Sequence, residues 1–582
     1  MHDFAARPSR GPLSRDFLAP WTESPVVALL APLIALLIVP ACGARTALDW
    51  SALDDTTRLD ATDVPDAQDP LDRTDVPPRD APDAPDALCT PLDLPPPRLI
   101  APLSTARVST ARVRLRYAPN AAAADGARIE VFRDRAATMP VGSYDAMPGG
   151  YFDTPALPRG VLFWRIRATR CGRAGTVATP TWQFTVDRTD APLPTAWGTV
   201  PDFNGDGFAD ITVGAPGDST VFVYPGGPMG PSTTPQRIRY FELAQFGWSV
   251  ASAGDVNGDG FADLIVGSLA GVVHVHAGGP FGAAQRPTMT LLPPPGANRF
   301  SYAVASAGDV DADGYGDVII GSQGGPVWVY LGGPVGIDAG RMRTIAPPAD
   351  APLFGTAIAF AGDINADGYG DVIIGSQTAQ RAYVYIGSAL GLEPAPTSVL
   401  TGPVPNADFG YAVACAGDVN NDGFADVAVD DGAPSRAGYV FLGSRSGVIA
   451  RAYPLGAPSR PEGFLSSISG AGDVNGDGFA DVIGSLGSRG PDTALLAFGD
   501  ATAIGGPRRS LTGSGAGGAY AVAGAGDVNG DGFDDVLAAA ANRSAVYVYF
   551  GGARASDPAP SVVLAAPAGA REFGTSLASV GR

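Results

Sequence analysis

From about residue 200 to its end, the chain alternates short apolar runs with acidic, glycine-rich loops. The stretch DVNGDGFADLIVGS runs from Asp255 to Ser268, and near relatives begin at Asp202, Asp309, Asp363, Asp418, Asp473 and Asp527. The seven copies lie 53 to 55 residues apart, and a fixed period of this size marks a solenoid, a propeller or an array. Most units share one plan. An aromatic-Gly pair (Phe246-Gly247, Phe354-Gly355, Phe409-Gly410) opens a small-residue strand such as Ser249 to Ala253. The acidic loop follows, then an apolar strand such as Leu264 to Val266. Next comes a strand like Val327-Trp328-Val329-Tyr330 or Tyr383-Val384-Tyr385, and then a more variable fourth. A four-stranded sheet of this size needs neighbours to bury its faces, so radial packing of seven predicts a seven-bladed β-propeller over 197–582. Few stretches carry a helical period, and the predicted class is all-β.

The end of the chain supplies a closure device. Phe573-Gly574-Thr575-Ser576-Leu577-Ala578-Ser579-Val580-Gly581 matches Phe246 to Gly254 but stops where an acidic loop should begin. The first loop, at Asp202, is preceded only by a short Pro-containing segment, Trp197 to Pro201. Residues 573–581 are therefore expected to form the innermost strand of the first blade, which would remove the exposed sheet edges.

Before the repeats, residues 93–188 change character. Ala111 to Tyr117 and part of Val161 to Ala168 alternate apolar or small residues with Arg, and Ile129 to Phe132 is a weaker third strand. Period-two runs broken by Gly and Pro turns predict a small β-sandwich. LPRGVLFWRIRA followed by TPTWQFTV resembles the last strands of a fibronectin type III domain, which implies a spacer.

Within each acidic loop, positions one, three, five and nine carry Asp or Asn and position seven is aromatic. The seven sets are Asp202, Asn204, Asp206, Phe208, Asp210; Asp255, Asn257, Asp259, Phe261, Asp263; Asp309, Asp311, Asp313, Tyr315, Asp317; Asp363, Asn365, Asp367, Tyr369, Asp371; Asp418, Asn420, Asp422, Phe424, Asp426; Asp473, Asn475, Asp477, Phe479, Asp481; and Asp527, Asn529, Asp531, Phe533, Asp535. Calcium takes six to eight oxygens from a flexible loop. Side chains at one, three and five converge if the chain curls around an ion, position seven offers its carbonyl, and position nine closes the cage. The opening is similar to that of an EF-hand, but position twelve is Val266 rather than Glu and the exit is a strand. Up to seven Ca2+ ions are expected. Asp431 and Asp534 fall outside this ligand frame and are expected at the surface.

These units resemble the FG-GAP (VCBS-type) repeats of integrin α propellers and of many bacterial surface proteins. The motif carrying the resemblance is D-x-[DN]-x-D-G-[FY]-x-D followed by an apolar residue. The GAP element follows the loop in register only at Gly214-Ala215-Pro216, and Gly432-Ala433-Pro434 is displaced by two residues. All seven blades carry the loop, whereas integrins fill only some, and no leg region follows. Integrin-like signalling and heterodimer formation are therefore not expected, and the chain is expected to be a monomer.

The chain start points to export. Val26 to Val39 is an apolar run of signal-peptide length, too short for a membrane span. Val39-Pro40-Ala41-Cys42 resembles a bacterial lipobox, which implies a signal over 1–41, lipidation of Cys42 and anchoring at a bacterial outer membrane or cell surface. Residues 42–92 form an Asp- and Pro-rich tether, expected to be disordered and extended. Cys89 and Cys171 flank the small domain as a candidate disulfide, which suits an exported protein. Cys415, among small residues in a repeat strand, is expected to be a buried free thiol.

Net charge adds one exclusion. At −20, the chain lacks the basic face a nucleic acid requires. No P-loop, HExxH or G-x-S-x-G motif occurs, and His274 and His276 are expected as a partly exposed pair on one strand face. A non-catalytic, calcium-stabilised binding or adhesion protein for an extracellular glycan or protein is the function expected. The alternatives are a surface scaffold without a ligand, or a propeller polysaccharide lyase or hydrolase. Trp248, Tyr302, Trp328 and Tyr411 are either sugar platforms or blade core.

Overall fold

The computed structural model describes residues 94–578, apart from 95, 103–105, 109–110, 119–123, 147–149, 187–199, 406, 433–436, 456–463, 487–491, 514–518, 541–544 and 554–557. The expected signal, the tether, Cys42 and Cys89 lie outside the described residues. The fold is all-β, and the helical turns among the described residues are three short 3-10 turns.

Residues 98–186 form two facing sheets. One joins Arg98–Ala101, Arg114–Ala118 and Tyr151–Asp153. The other is built around Gly126–Phe132, Gly160–Arg170 and Trp182–Val186. The alternation in sequence becomes alternation in burial: Leu115 and Tyr117 are buried while Arg114 and Arg116 face out. A common core joins Leu115 and Tyr117 of one sheet to Ile129, Val131, Ile166 and Phe184 of the other. Trp164 and Trp182 meet edge to face there, with ring centroids 6.3 Å apart. Cys171 is disulfide-bonded, with a partner outside the described residues.

Residues 200–578 form seven four-stranded antiparallel sheets. Each runs from an inner strand outward. In the second sheet the order is Phe246–Gly254, Asp263–Ser268, Val272–His276 and Met289–Leu291. The inner strands of the third to seventh sheets are Ala303–Gly308, Ala357–Gly362, Phe409–Gly417, Phe464–Gly472 and Ala519–Gly526. The first sheet takes its inner strand from the end of the chain. Ser576–Leu577 pairs antiparallel with Ile211–Ala215, with Gly214 opposite Ser576 and Val213 opposite Leu577.

Seven hydrophobic clusters lie between successive sheets, and one of them joins the seventh to the first through Leu537, Val546, Val213, Phe222 and Phe573. Burial of these faces is the main favourable term holding sheet to sheet. Close approach needs glycine after the loop: a Cβ on Gly321 would sit 2.1 Å from the Gly355 carbonyl oxygen of the next sheet, and one on Gly375 would sit 2.3 Å from that of Gly410. The fifth sheet carries Asp430 at this position.

Candidate functional site

Each acidic loop is a turn organised by its own carboxylates. In the second loop, Asp255 accepts hydrogen bonds from the Gly258, Asp259 and Gly260 amides at 2.5, 3.0 and 2.9 Å. Asn257 accepts from the Asp259 amide at 2.8 Å, and Asp259 accepts from Phe261 at 3.0 Å. Asp263 bridges two segments: it accepts from the Val256 amide at 2.9 Å and from Gly278, beyond the next strand, at 2.8 Å. Position nine makes the same pair of bonds in all seven loops. In the second to seventh loops the residue just before the loop is a glycine with a positive φ, +73° at Gly254 and +82° at Gly362. That conformation is open to Gly at little cost.

The loops are also bonded to one another. The amide at position eight donates to the carbonyl at position one of the preceding loop: Ala262 to Asp202, Gly316 to Asp255, Gly370 to Asp309, Ala425 to Asp363, Ala480 to Asp418 and Asp534 to Asp473, at 2.8–3.2 Å. Ala209 of the first loop donates to Asp527 of the seventh at 3.1 Å. The series returns to its start.

Burial makes these carboxylates unusual. All seven position-nine aspartates, Asp210, Asp263, Asp317, Asp371, Asp426, Asp481 and Asp535, are buried. Loss of water pushes their carboxyls well above the usual range. The position-one groups Asp202, Asp255 and Asp418 are raised to about 6 and Asp363 to about 7, again chiefly by burial, with the position-five carboxylate adding to the effect.

In the third loop, where Asp311 replaces the usual Asn, oxygens of Asp309, Asp311 and Asp317 all lie within 4.8 Å of one another. That is about the span across one ion with calcium–oxygen distances near 2.4 Å. The three carboxylates are therefore able to hold a cation, and their all-oxygen donor set suits a hard one. Asp313 is not part of this cluster. Arg341 bridges it, at 3.3 Å, to Asp311, at 2.7 Å. In the first, fourth, fifth, sixth and seventh loops the position-three Asn amide donates to the position-five carboxylate at 2.8–3.0 Å. The side chains at position seven, Phe208, Phe261, Tyr315, Tyr369, Phe424, Phe479 and Phe533, are buried or half-buried. Several lie against the preceding loop: a Cβ on Gly205 would meet the Phe261 ring, and one on Gly530 the Phe208 ring.

The small sandwich contacts this loop side. The Arg135 guanidinium lies 3.8 Å from the Tyr315 ring centroid and donates to the Gly314 carbonyl at 2.5 Å. Trp182 donates to the Ala312 carbonyl at 3.3 Å, and Arg98 lies over Tyr369 at 5.1 Å.

Along the inner strands, from the end away from the loops to within three residues of them, runs a cavity of about 400 Å³, lined by residues of all seven. Trp248, Tyr302, Thr356, Tyr411 and Thr575 stand in its wall, each seven residues before the point where its loop begins or would begin. Tyr520 holds the same position in the seventh inner strand. Trp248 and Tyr302 rings are 6.1 Å apart. Burial raises the Tyr302 phenol, and Tyr411 and Tyr520 add to the shift. Sequence reading passed over Tyr520, because Gly518-Ala519 stands where other units have an aromatic-Gly pair. Counting back seven residues from Asp527 finds it.

Trp328 is buried core packed on Phe300, one of the two roles expected of it. Three expectations change. His274 and His276 do share one strand face, but both are buried beside Tyr240 and Phe246, and burial lowers both imidazoles. Asp431 is buried rather than superficial and bonds to Tyr439. Asp534 is also buried, and accepts from the Asp473 amide of the preceding loop at 2.7 Å. Asp431 bonds within its own sheet and Asp534 to the preceding loop, and the spacing of the loops alone marks neither. Cys415 is a buried free thiol raised to about 12 by desolvation.

A family profile described as FG-GAP-like repeat matches residues 202–266 and 363–429, spanning loops one and two and then four and five. The chain carries FG-GAP-like repeats. It also has distant integrin-alpha-like homology. Integrin alpha-5 of Xenopus laevis is 30% identical over 221 residues, covering 34% of this chain and 20% of that protein. Integrin alpha-6 of Homo sapiens is 34% identical over 148 residues, 23% of this chain and 12% of that protein. Integrin alpha-IIb of Mus musculus is 34% identical over 159 residues, 23% and 15%. The chain thus spans a fifth or less of the length of these relatives.

Proposed function

We propose that the seven sheets close into a seven-bladed β-propeller with a calcium ion in each acidic loop, and that the protein is a non-catalytic binding or adhesion module at a cell surface. The observation that carries this reading is the cyclic series of loop-to-loop hydrogen bonds, which runs through seven loops, each with a buried aspartate at position nine, and from the last back to the first. Buried like charges are costly without a countercharge. Bound ions would supply that charge to the residues at positions one, three, five and nine, and the position-seven carbonyl would complete the set. The chain's own part is to hold these oxygens inward through backbone amides.

A non-catalytic role is consistent with the integrin-alpha-like homology. We further propose that residues 93–188 are a fibronectin-like spacer closed by Cys89–Cys171, with residues 42–92 as tether and Cys42 as lipid anchor at a bacterial outer membrane or cell surface. The partner would be an extracellular glycan or protein.

Native mass spectrometry of the purified chain, with and without calcium, tests the loop assignment. Seven calcium ions per chain are expected. Occupancy confined to the third loop, where three carboxylates already converge, would refute the assignment for the other six.

A further inference from the structure

The cavity along the inner strands has a composition that the loops do not explain. Along one inner strand, Phe409 is fully buried whereas Tyr411, two residues on, is 42% exposed. Tyr520 is 40% exposed. With Trp248 and Tyr302 they make four aromatic side chains at one level of the strands, while Thr356 and Thr575 take the same level on two other sheets. A large aromatic left in contact with water at a repeated position, when the fold has buried its neighbour, calls for a reason.

The wall below is made of small apolar residues and hydroxyls, including Ser249, Ser467 and Ser576. Among the described residues, no lining side chain is charged. The volume falls within the range of small-molecule sites, roughly 300–1,000 Å³. An anionic ligand would find no basic partner there. A cation would have ring faces but no carboxylate in the lining. A neutral, hydroxylated ring suits what is present: its C–H face lies on aromatic rings, and its hydroxyls meet Tyr oxygens and the lone pairs left on Thr356, Thr575 and Ser576, whose own protons go to backbone carbonyls. The sandwich contacts described above are made to the loops at the opposite end.

We infer that this mouth binds the neutral, non-reducing end of a glycan, with Trp248, Tyr302, Tyr411 and Tyr520 as its stacking surface. The inference rests on the closed-ring reading and names the ligand class for it. Exposed Tyr411 and Tyr520 are the informative positions, because truncating them removes contact area without opening the core.

The experiment uses the chain from residue 42 with Cys42→Ser, in millimolar calcium. It is probed by saturation-transfer NMR and calorimetry against neutral oligosaccharides of glucose, mannose, galactose and N-acetylglucosamine. Sialylated and sulfated oligosaccharides and arginine form separate arms. At least one neutral oligosaccharide is expected to bind. Tyr411→Ala and Tyr520→Ala are each expected to weaken it by roughly tenfold, the scale of an aromatic anchor, with melting temperature unchanged. The inference is overturned if the neutral arms are silent, if acidic glycans or arginine bind in preference, or if the Tyr411→Ala/Tyr520→Ala double variant binds as well as the parent. Failure of the ring itself reads differently: removal of residues 573–582 would then leave the melting temperature unchanged, whatever the sugars do.

Discussion

The two ends of each inner strand are built on opposite rules. At the loop end, one arrangement recurs in every sheet: an aspartate held by backbone amides at position one, and another at position nine tied to the amide at position two and to a glycine beyond the next strand. At the cavity end, the equivalent position holds Trp248, Tyr302, Thr356, Tyr411, Tyr520 or Thr575. Uniformity at the first end follows from its task, since each loop must bond to its neighbours and enclose its charges. Variation at the second is possible because Trp248, Tyr302, Thr356, Tyr411 and Thr575 line a cavity rather than the contact between sheets. The end of the strand that repeats is the one that holds the fold together, and the end that varies is free to recognise something.

The largest effect should come from the strand that joins the chain's end to its start. Phe573 is fully buried and meets Phe222 at 5.6 Å between ring centroids. Phe573→Ala is expected to cost about 3–5 kcal/mol, read by urea unfolding in calcium. A cost under about 1 kcal/mol would mean that the first and seventh sheets are not held together there. Tyr411→Ala is the matched control on the cavity side. Its stability is expected to stay within about 0.5 kcal/mol of the parent, so that the two aromatic substitutions separate structure from recognition.

An intermediate effect is expected at Asp430. It occupies the glycine position of the fifth sheet, and neither of its buried carboxylate oxygens has a hydrogen-bond partner among the described residues. Burial raises its carboxyl well above the usual value. A raised carboxyl costs nothing while protonated in both states, and the penalty grows as pH climbs above the unfolded value, near 4. Asp430→Gly should therefore stabilise the protein at pH 7 by about 1–3 kcal/mol, with the gain fading toward pH 4. Equal melting temperatures of variant and parent at pH 7 would contradict this.

The smallest effect is a redistribution within one loop. Asp311→Asn gives the third loop the composition of its neighbours. Without metal at pH 7 it should raise the melting temperature slightly, because a carboxyl raised to about 6 by burial and by Asp313 is removed. Arg341 then loses one of its two partners, which limits the gain. In calcium the same change should weaken binding at that loop. A variant that binds calcium more tightly would show that Asp311 is not a ligand.

Much of this was legible in the sequence because period and spacing are local. The seven loops, the four strands of each sheet and the strand supplied by Ser576 and Leu577 follow from residues that repeat. What escaped depends on which side of a strand meets another sheet. Trp248 and Trp328 are the same residue type in the same kind of apolar run, yet one lines the cavity and the other is core. His274 and His276 become buried because Tyr240 and Phe246 cover them, a contact no single strand announces. Arg98 and Arg135 read as ordinary strand and turn residues, and only the fold brings them onto Tyr369 and Tyr315.

The most direct test of the account is thermal unfolding in calcium and in EGTA, at pH 5 and at pH 7.5. The loop carboxyls are raised in the metal-free fold, Asp202, Asp255 and Asp418 to about 6 and Asp363 to about 7. Metal-free stability should therefore fall as pH rises through that range, where the buried groups must ionise unpaired. Calcium should reverse the trend, since it binds the ionised native loops and stabilises by mass action. The account expects calcium to raise the melting temperature by on the order of 10 °C or more at pH 7.5, and by clearly less at pH 5. Coincident melting curves in calcium and EGTA at pH 7.5 would contradict it.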